Sequence, residues 1–146
     1  MTRSDTAESE AFEVALAALG PRELSVQELD VRLQKRGFSR PARTHALETL
    51  LRTGLLDDAR YAQARASSLA SRGAGDALIR HALASSGVAA EIADAAVAAL
   101  EPEAERAHSI VTRRGGGPRT ARYLSGKGFA EDVVAVVAGR TDEGVG

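Results

Sequence analysis

Apolar residues recur at spacings of three and four along almost the whole chain. The sets are Val14, Leu16 and Leu19; Leu29 and Leu33; Leu47, Leu50 and Leu51; Ile79 and Leu83; Ile92, Val97 and Leu100; Val133, Val136 and Val137. This is the period of amphipathic helices. Alternating β-branched runs are absent over any useful length, so strands are not expected. Breaks fall at Gly20-Pro21, Gly37, Gly54, residues 73–75, Gly87, Pro102, residues 115–118 and residues 126–128. They cut the chain into about nine short helices.

The breaks repeat. Aligning "KRGF" (35–38), "SSGV" (85–88) and "GKGF" (126–129) superposes Gly37, Gly87 and Gly128. Five residues before Phe38, Val88 and Phe129 stand Leu33, Leu83 and Leu124; nine before stand Leu29, Ile79 and Thr120; four after stand Ala42, Ile92 and Val133. Leu19, Leu69 and Ile110 lie eighteen residues before the glycines. A set that survives three times is an internal repeat. Each unit reads helix, turn, helix, glycine turn, helix. The glycine is expected to end the second helix in a left-handed C′ position, which lets the next apolar residue fold back on that helix. The expected architecture is all-α: three tandem three-helix repeats over residues 11–54, 55–101 and 102–139, in an elongated arrangement, straight or curved. Residues 1–10 and 140–146 are expected to be disordered.

Composition narrows the function classes. There is no cysteine, which removes disulfides, thiolate nucleophiles and Cys-based zinc sites and suits a reducing cytoplasm. No apolar run has the length of a membrane span, and the polar, acidic start does not read as a signal peptide. The net charge of −1 conceals an uneven distribution, since residues 104–140 carry an excess of four positive charges. Seventeen of the nineteen basic residues are arginine, which reads first as codon bias and only second as selection for its forked donors. The chain as a whole lacks the basic excess of a dedicated nucleic-acid binder.

Candidate chemistry is sparse. Asp57 and Asp58 stand where the first unit ends and the second begins. An aspartate N-cap with a second acid facing the helix dipole accounts for them, whereas neighbouring helical residues point about 100° apart and do not converge on one substrate atom. His45, His81 and His108 fall in different units, as ordinary surface residues would. "RRGGGPRTAR" (113–122) has the glycines of a phosphate-cradling loop but lacks the lysine and hydroxyl spacing of a nucleotide loop. Pro118 reads as the first residue of a helix. The stretch is either a plain connector or a contact for a partner or a DNA backbone. Arg36, Arg40, Arg43 and Arg52 would form a basic stripe or a merely solvated face on the first unit. With three Phe and two Tyr, a base-stacking platform is not expected, and Phe38 and Phe129 read as core. No nucleophile–base pair, metal cluster or nucleotide loop is present, so no enzyme activity and no cofactor or metal is expected.

"GLLDDARYA", "SRGAG" and "LIRHALASSGV" together resemble the RecX family of recombinase regulators. The matching positions are Gly54, Leu56, Asp57, Asp58, Arg60, Tyr61 and Ala62, then Arg72, Gly73, Gly75, Ile79, Leu83, Gly87 and Val88. "VRLQKRGF" and "ARYLSGKGFAEDVV" agree with the first-unit and third-unit turns, so the resemblance runs from about residue 11 to residue 140. It implies a modular helical protein that binds RecA and its filament on single-stranded DNA and restrains ATP hydrolysis, strand exchange and repressor cleavage in the SOS response. It implies a cytoplasmic, non-enzymatic regulator, here expected as a monomer, with at most weak affinity for single- or double-stranded DNA. The chain departs from the pattern where Ala74 replaces an aromatic residue and where "DALIR" keeps only Arg80 of a basic cluster. By charge and position, the expected contacts are Arg36, Arg40, Arg72, Arg80, Arg113, Arg114, Arg119, Arg122 and Lys127. The alternative is a DNA-binding helical-repeat protein acting without RecA, because three-helix units with tight turns are like helix-turn-helix modules.

Overall fold

A computed structural model describes residues 3–143, with side chains through residue 139. The described residues form nine helices and no strand: α1 (Arg3–Leu19), α2 (Val26–Lys35), α3 (Arg40–Arg52), α4 (Asp58–Ser71), α5 (Asp76–Ser85), α6 (Ala90–Ala98), α7 (Glu103–Arg114), α8 (Pro118–Gly126) and α9 (Glu131–Glu143). The protein is all-α, three helices to each repeat. By compactness the chain divides into two units. One comprises the residues up to Ala62 together with Ser86–Val88; the other comprises Gln63–Ser85 and the residues from Ala89 onward.

In the first unit, Leu24, Leu29, Leu33, Leu50 and Leu56 are fully buried with Ala11, Ala15, Ala42 and Ala46. Each leucine contributes about 1.5–3 kcal/mol by leaving water. Ser25 caps α2 through a complete capping box: its hydroxyl accepts from Glu28 N–H at 3.1 Å, and Glu28 Oε1 accepts from Ser25 N–H at 2.9 Å. Ser39 caps α3, accepting from Ala42 N–H. In the second unit, Ala107, Ile110, Val111, Leu124, Phe129 and Val134 form a core under α7, α8 and α9.

The glycine turns behave as the repeat requires. Gly37, Gly87 and Gly128 have φ of +88°, +81° and +91°. Phe38 N–H donates to Leu33 O at 3.2 Å and Phe129 N–H to Leu124 O at 3.1 Å, the long back-bond of a Schellman end. Val88 and Phe129 are buried, and Phe38 is half-buried against the first core.

Three expectations change. Residues 3–10, expected to be disordered, belong to α1, because Ala7, Ala11 and Ala15 form a narrow stripe that packs against the first core. The disorder expected over residues 140–146 meets a helix that runs to Glu143, and residues 144–146 lie outside the described residues. Within α6 and α9 the buried register is one residue later than the alignment suggests: Ile92 and Val133 are only half-buried, whereas Ala93 and Val134 are buried.

Each unit also holds a joint that the periodicity did not show. In the first, the turn Ser86–Val88 sits on the N-terminus of α2. Ser25 Oγ donates to Ser86 O at 2.6 Å, and a Cβ on Gly87 would fall 2.6 Å from Gln27 Cβ. In the second, the turn Lys127–Phe129 sits on the N-terminus of α5. Gly75 N–H donates to Lys127 O at 2.8 Å, Ala77 N–H donates to Gly128 O at 3.2 Å, and a Cβ on Gly128 would fall 2.7 Å from Leu78 N. Ser86 and Lys127 are equivalent in the repeat alignment, as are Ser25 and Gly75. The two joints therefore occupy equivalent places in the repeat, one made through a serine hydroxyl and the other through two backbone N–H groups.

Candidate functional site

Each aspartate of the pair accepts from backbone N–H groups at a helix N-terminus. Asp57 Oδ1 accepts from Ala59 N–H at 2.9 Å and Arg60 N–H at 3.2 Å, an N-cap for α4. Asp58 does not serve its own helix; its Oδ1 accepts from Val26 N–H at 2.8 Å, at the N-terminus of α2. Arg60 donates to the carbonyls of Gly54 and Leu55 at 2.9 and 3.0 Å, and its Nε meets Glu23 Oε1 at 2.6 Å. The Glu23 hydrogen bond holds the Arg60 pKa above its ordinary value. Tyr61 Oη lies 2.9 Å from Ser86 Oγ. The motif from Gly54 to Tyr61 is thus a clasp that satisfies the end of α3 and the starts of α2 and α4.

The second unit holds the densest group of the expected contact residues. A cavity of about 250 Å³ is lined by Ser71, Arg72, Gly73, Ile110, Arg113, Arg114 and Tyr123. The Arg114 guanidinium lies 3.7 Å from the centroid of the Tyr123 ring. A Cβ on Gly73 would fall 3.5 Å from Tyr123 Oη and 3.7 Å from Lys127 Cε, which places the lysine beside the same cavity. No carboxylate lines it, and among the described residues Arg72, Arg113, Arg114 and Lys127 make no ion pair. The arrangement suits an anionic ligand or a carboxylate-bearing surface.

The remaining expected contacts are scattered. Arg119 and Arg122 are exposed on α8 and do not line this cavity. Arg80 is held at the surface by Asp94 at 3.0 Å. Arg36 and Arg40 belong to the first unit. Arg36 lines a groove of about 670 Å³ with Arg32, Lys35, Glu13 and the apolar Val14 and Leu33. Of the expected stripe, Arg43 is committed elsewhere, to Asp30 at 2.8 Å and Phe38 O at 2.9 Å. The glycine-rich loop lacks a free hydroxyl for a phosphate, because Thr120 Oγ1 donates to Gly115 O at 2.6 Å; Pro118 opens α8 as expected. Among the described residues no group of three or more His, Asp or Glu side chains is arranged to hold a metal ion, and no helix is long and apolar enough to cross a membrane.

One buried residue escaped the sequence reading. Arg106 is 9% exposed; it donates to Asp76 Oδ1 at 2.9 Å, Glu101 O at 3.0 Å and Ala74 O at 3.1 Å, and lies 5.9 Å from the Phe129 ring centroid. Its signal was its place on the apolar stripe, four residues before Ile110. Nearby, Glu103 accepts from Ala130 N–H at 2.6 Å, and burial raises its pKa, helped by Asp76.

These features define an all-helical repeat protein with basic surface clefts. The family model for the second three-helix domain of RecX matches residues 57–97. The Regulatory protein RecX of Halorhodospira halophila is 31% identical over 154 residues, covering 98% of this chain and 95% of that protein. The Regulatory protein RecX of Xanthomonas campestris pv. campestris is 35% identical over 125 residues, covering 79% and 77%. The crystal structure of RecX from Lactobacillus salivarius superposes with a TM-score of 0.82 over 95% of this chain and 99% of that one; at 17% identity it speaks for the fold. The chain belongs to the RecX family of regulatory proteins.

Proposed function

We propose that this chain is a non-enzymatic regulator that binds RecA and its filament on single-stranded DNA and lowers ATP hydrolysis, strand exchange and SOS co-protease activity. The observation that carries the reading is the near-complete coverage by a relative named as a regulatory protein. The residues proposed for contact are Arg72, Arg113, Arg114 and Lys127 around the second-unit cavity, with Arg119 and Arg122 on the adjoining helix. Arg80, Arg36 and Arg40 are secondary. Their role is charge complementarity to an acidic filament surface or to phosphate. The chain is expected to act as a monomer in the cytoplasm. The direct test is co-sedimentation of the chain with RecA filaments on single-stranded DNA. Retention at micromolar concentration is expected, weakened by Arg113→Glu with Arg119→Glu. No retention would defeat the reading, and unchanged affinity of the double variant would remove the third repeat from the contact.

A second reading, a DNA binder acting without RecA, is favoured by one observation: four cations gather around a tyrosine-lined cavity that holds no carboxylate. It requires DNA affinity that falls steeply with salt in the absence of RecA. A flat salt dependence would dismiss it.

A further inference from the structure

The joint described above has two halves. One is a glycine turn whose carbonyls accept from a helix N-terminus; the other is that N-terminus, packed against the bare Cα of the glycine. The halves mate at Ser86–Val88 on α2 and at Lys127–Phe129 on α5. The third glycine turn, Arg36–Phe38, has the same conformation and no mate. No atom lies within 4 Å of the place a Gly37 Cβ would take. Among the described residues, neither the Arg36 nor the Gly37 carbonyl accepts a hydrogen bond, although the equivalent Ser86, Lys127 and Gly128 carbonyls do. Around the open turn stand Arg32, Lys35, Arg36 and Arg40, all exposed and, among the described residues, without an ion pair.

We infer that the Arg36–Phe38 turn is a docking surface for the N-terminus of a helix on a partner protein, one whose first turn carries carboxylates. The inference rests on the reading of RecA as the partner. The two joints supply the geometry: a donor at the helix N-terminus meets the carbonyl before the glycine, the Ser25 hydroxyl at Ser86 and the Gly75 N–H at Lys127, and the second or third residue of the arriving helix seats on the glycine. The basic collar supplies the charge preference, since acidic residues favour the first turn of a helix. A second copy of this chain fits worse. Its own unmated middle-helix N-terminus, at Gly116–Pro118, carries Arg119 in the first turn and Arg122 one turn later, so like charges would meet.

The decisive variant is Gly37→Asn. Asparagine tolerates the left-handed conformation, so the turn persists. Its Cβ, however, enters the space that lies within 2.7 Å of a neighbouring atom in both mated joints. Full-length chains are titrated against RecA filaments on single-stranded DNA, with thermal unfolding as the check on folding. Gly37→Asn is expected to weaken binding about tenfold or more with the melting transition little changed, as is Lys35→Gln with Arg36→Gln. Natural-chain binding that Gly37→Asn leaves intact would overturn the docking surface while keeping RecA as partner. Binding lost in Gly37→Asn but kept in the double glutamine variant would overturn the carboxylate requirement. Concentration-dependent self-association of the natural chain, abolished by Gly37→Asn, would assign the turn to a second copy and overturn the inference. No RecA binding by the natural chain would overturn the functional reading and this inference with it.

Discussion

Gly37 and Gly128 end equivalent helices with the same backbone, yet their surroundings are opposite. Around Gly37 there is open space; against Gly128 lie Leu78 N and Cβ, both 2.7 Å from where a side chain would start. The left-handed φ explains a glycine at both positions. Only the close approach makes Gly128 irreplaceable by a residue that merely tolerates that φ. A glycine read from sequence as a helix stop thus carries two distinct physical demands, and the repeat separates them.

The largest expected effect breaks the second-unit joint. Gly128→Ala combines a left-handed non-glycine residue with a clash against backbone, and should cost about 2–4 kcal/mol in denaturant unfolding. Gly37→Ala bears only the conformational penalty and should cost about 1–2 kcal/mol. Equal losses would show that the joint adds nothing. Next in size, Arg106→Met removes the cation from beside Asp76 and leaves the Ala74 and Glu101 carbonyls without that donor. Because Asp76 keeps some access to water, the loss should be about 2 kcal/mol, below that of a wholly buried pair. A neutral or stabilising result would mean that apolar packing in that place outweighs the ion pair. Asp57→Ala removes the α4 cap in the first unit and should cost about 1 kcal/mol; a loss below measurement would reassign the clasp to Arg60 and Asp58.

The smallest effect is in pH. Burial raises the Glu103 pKa, so the folded chain holds that proton to higher pH than the unfolded chain does. Its stabilising contribution is full below the ordinary carboxylate pKa and is lost as pH rises through the raised folded value. Glu103→Gln should therefore flatten the stability profile just above the ordinary carboxylate range. A profile that keeps its slope would place the titration elsewhere.

Much of the fold was legible in the sequence because the repeat writes itself three times. Leu33, Leu83 and Leu124 are each fully buried, five residues before the residue that folds back. The helices centred on them followed from periodicity and glycine. What stayed hidden was carried by small or paired groups. The first turns of α1 bury a stripe of alanines, which composition does not mark as core. The shift from Ile92 to Ala93 likewise puts the smaller side chain inside, the reverse of what hydrophobicity alone suggests. Arg106 is buried where Asp76 and Ala74, both thirty or more residues away, and the nearer Glu101 carbonyl accept from its two terminal guanidinium nitrogens. Of the expected contact residues, Arg72, Arg113, Arg114 and Lys127 come together only through tertiary structure. Arg43 was lost to Asp30, a pairing across thirteen residues that charge counting does not reveal.

The most direct test is the rate of RecA ATP hydrolysis on single-stranded DNA as the chain is titrated in. The account predicts a fall at substoichiometric chain, one that depends on Arg113 and Arg119. A rate that stays flat through equimolar chain would contradict it.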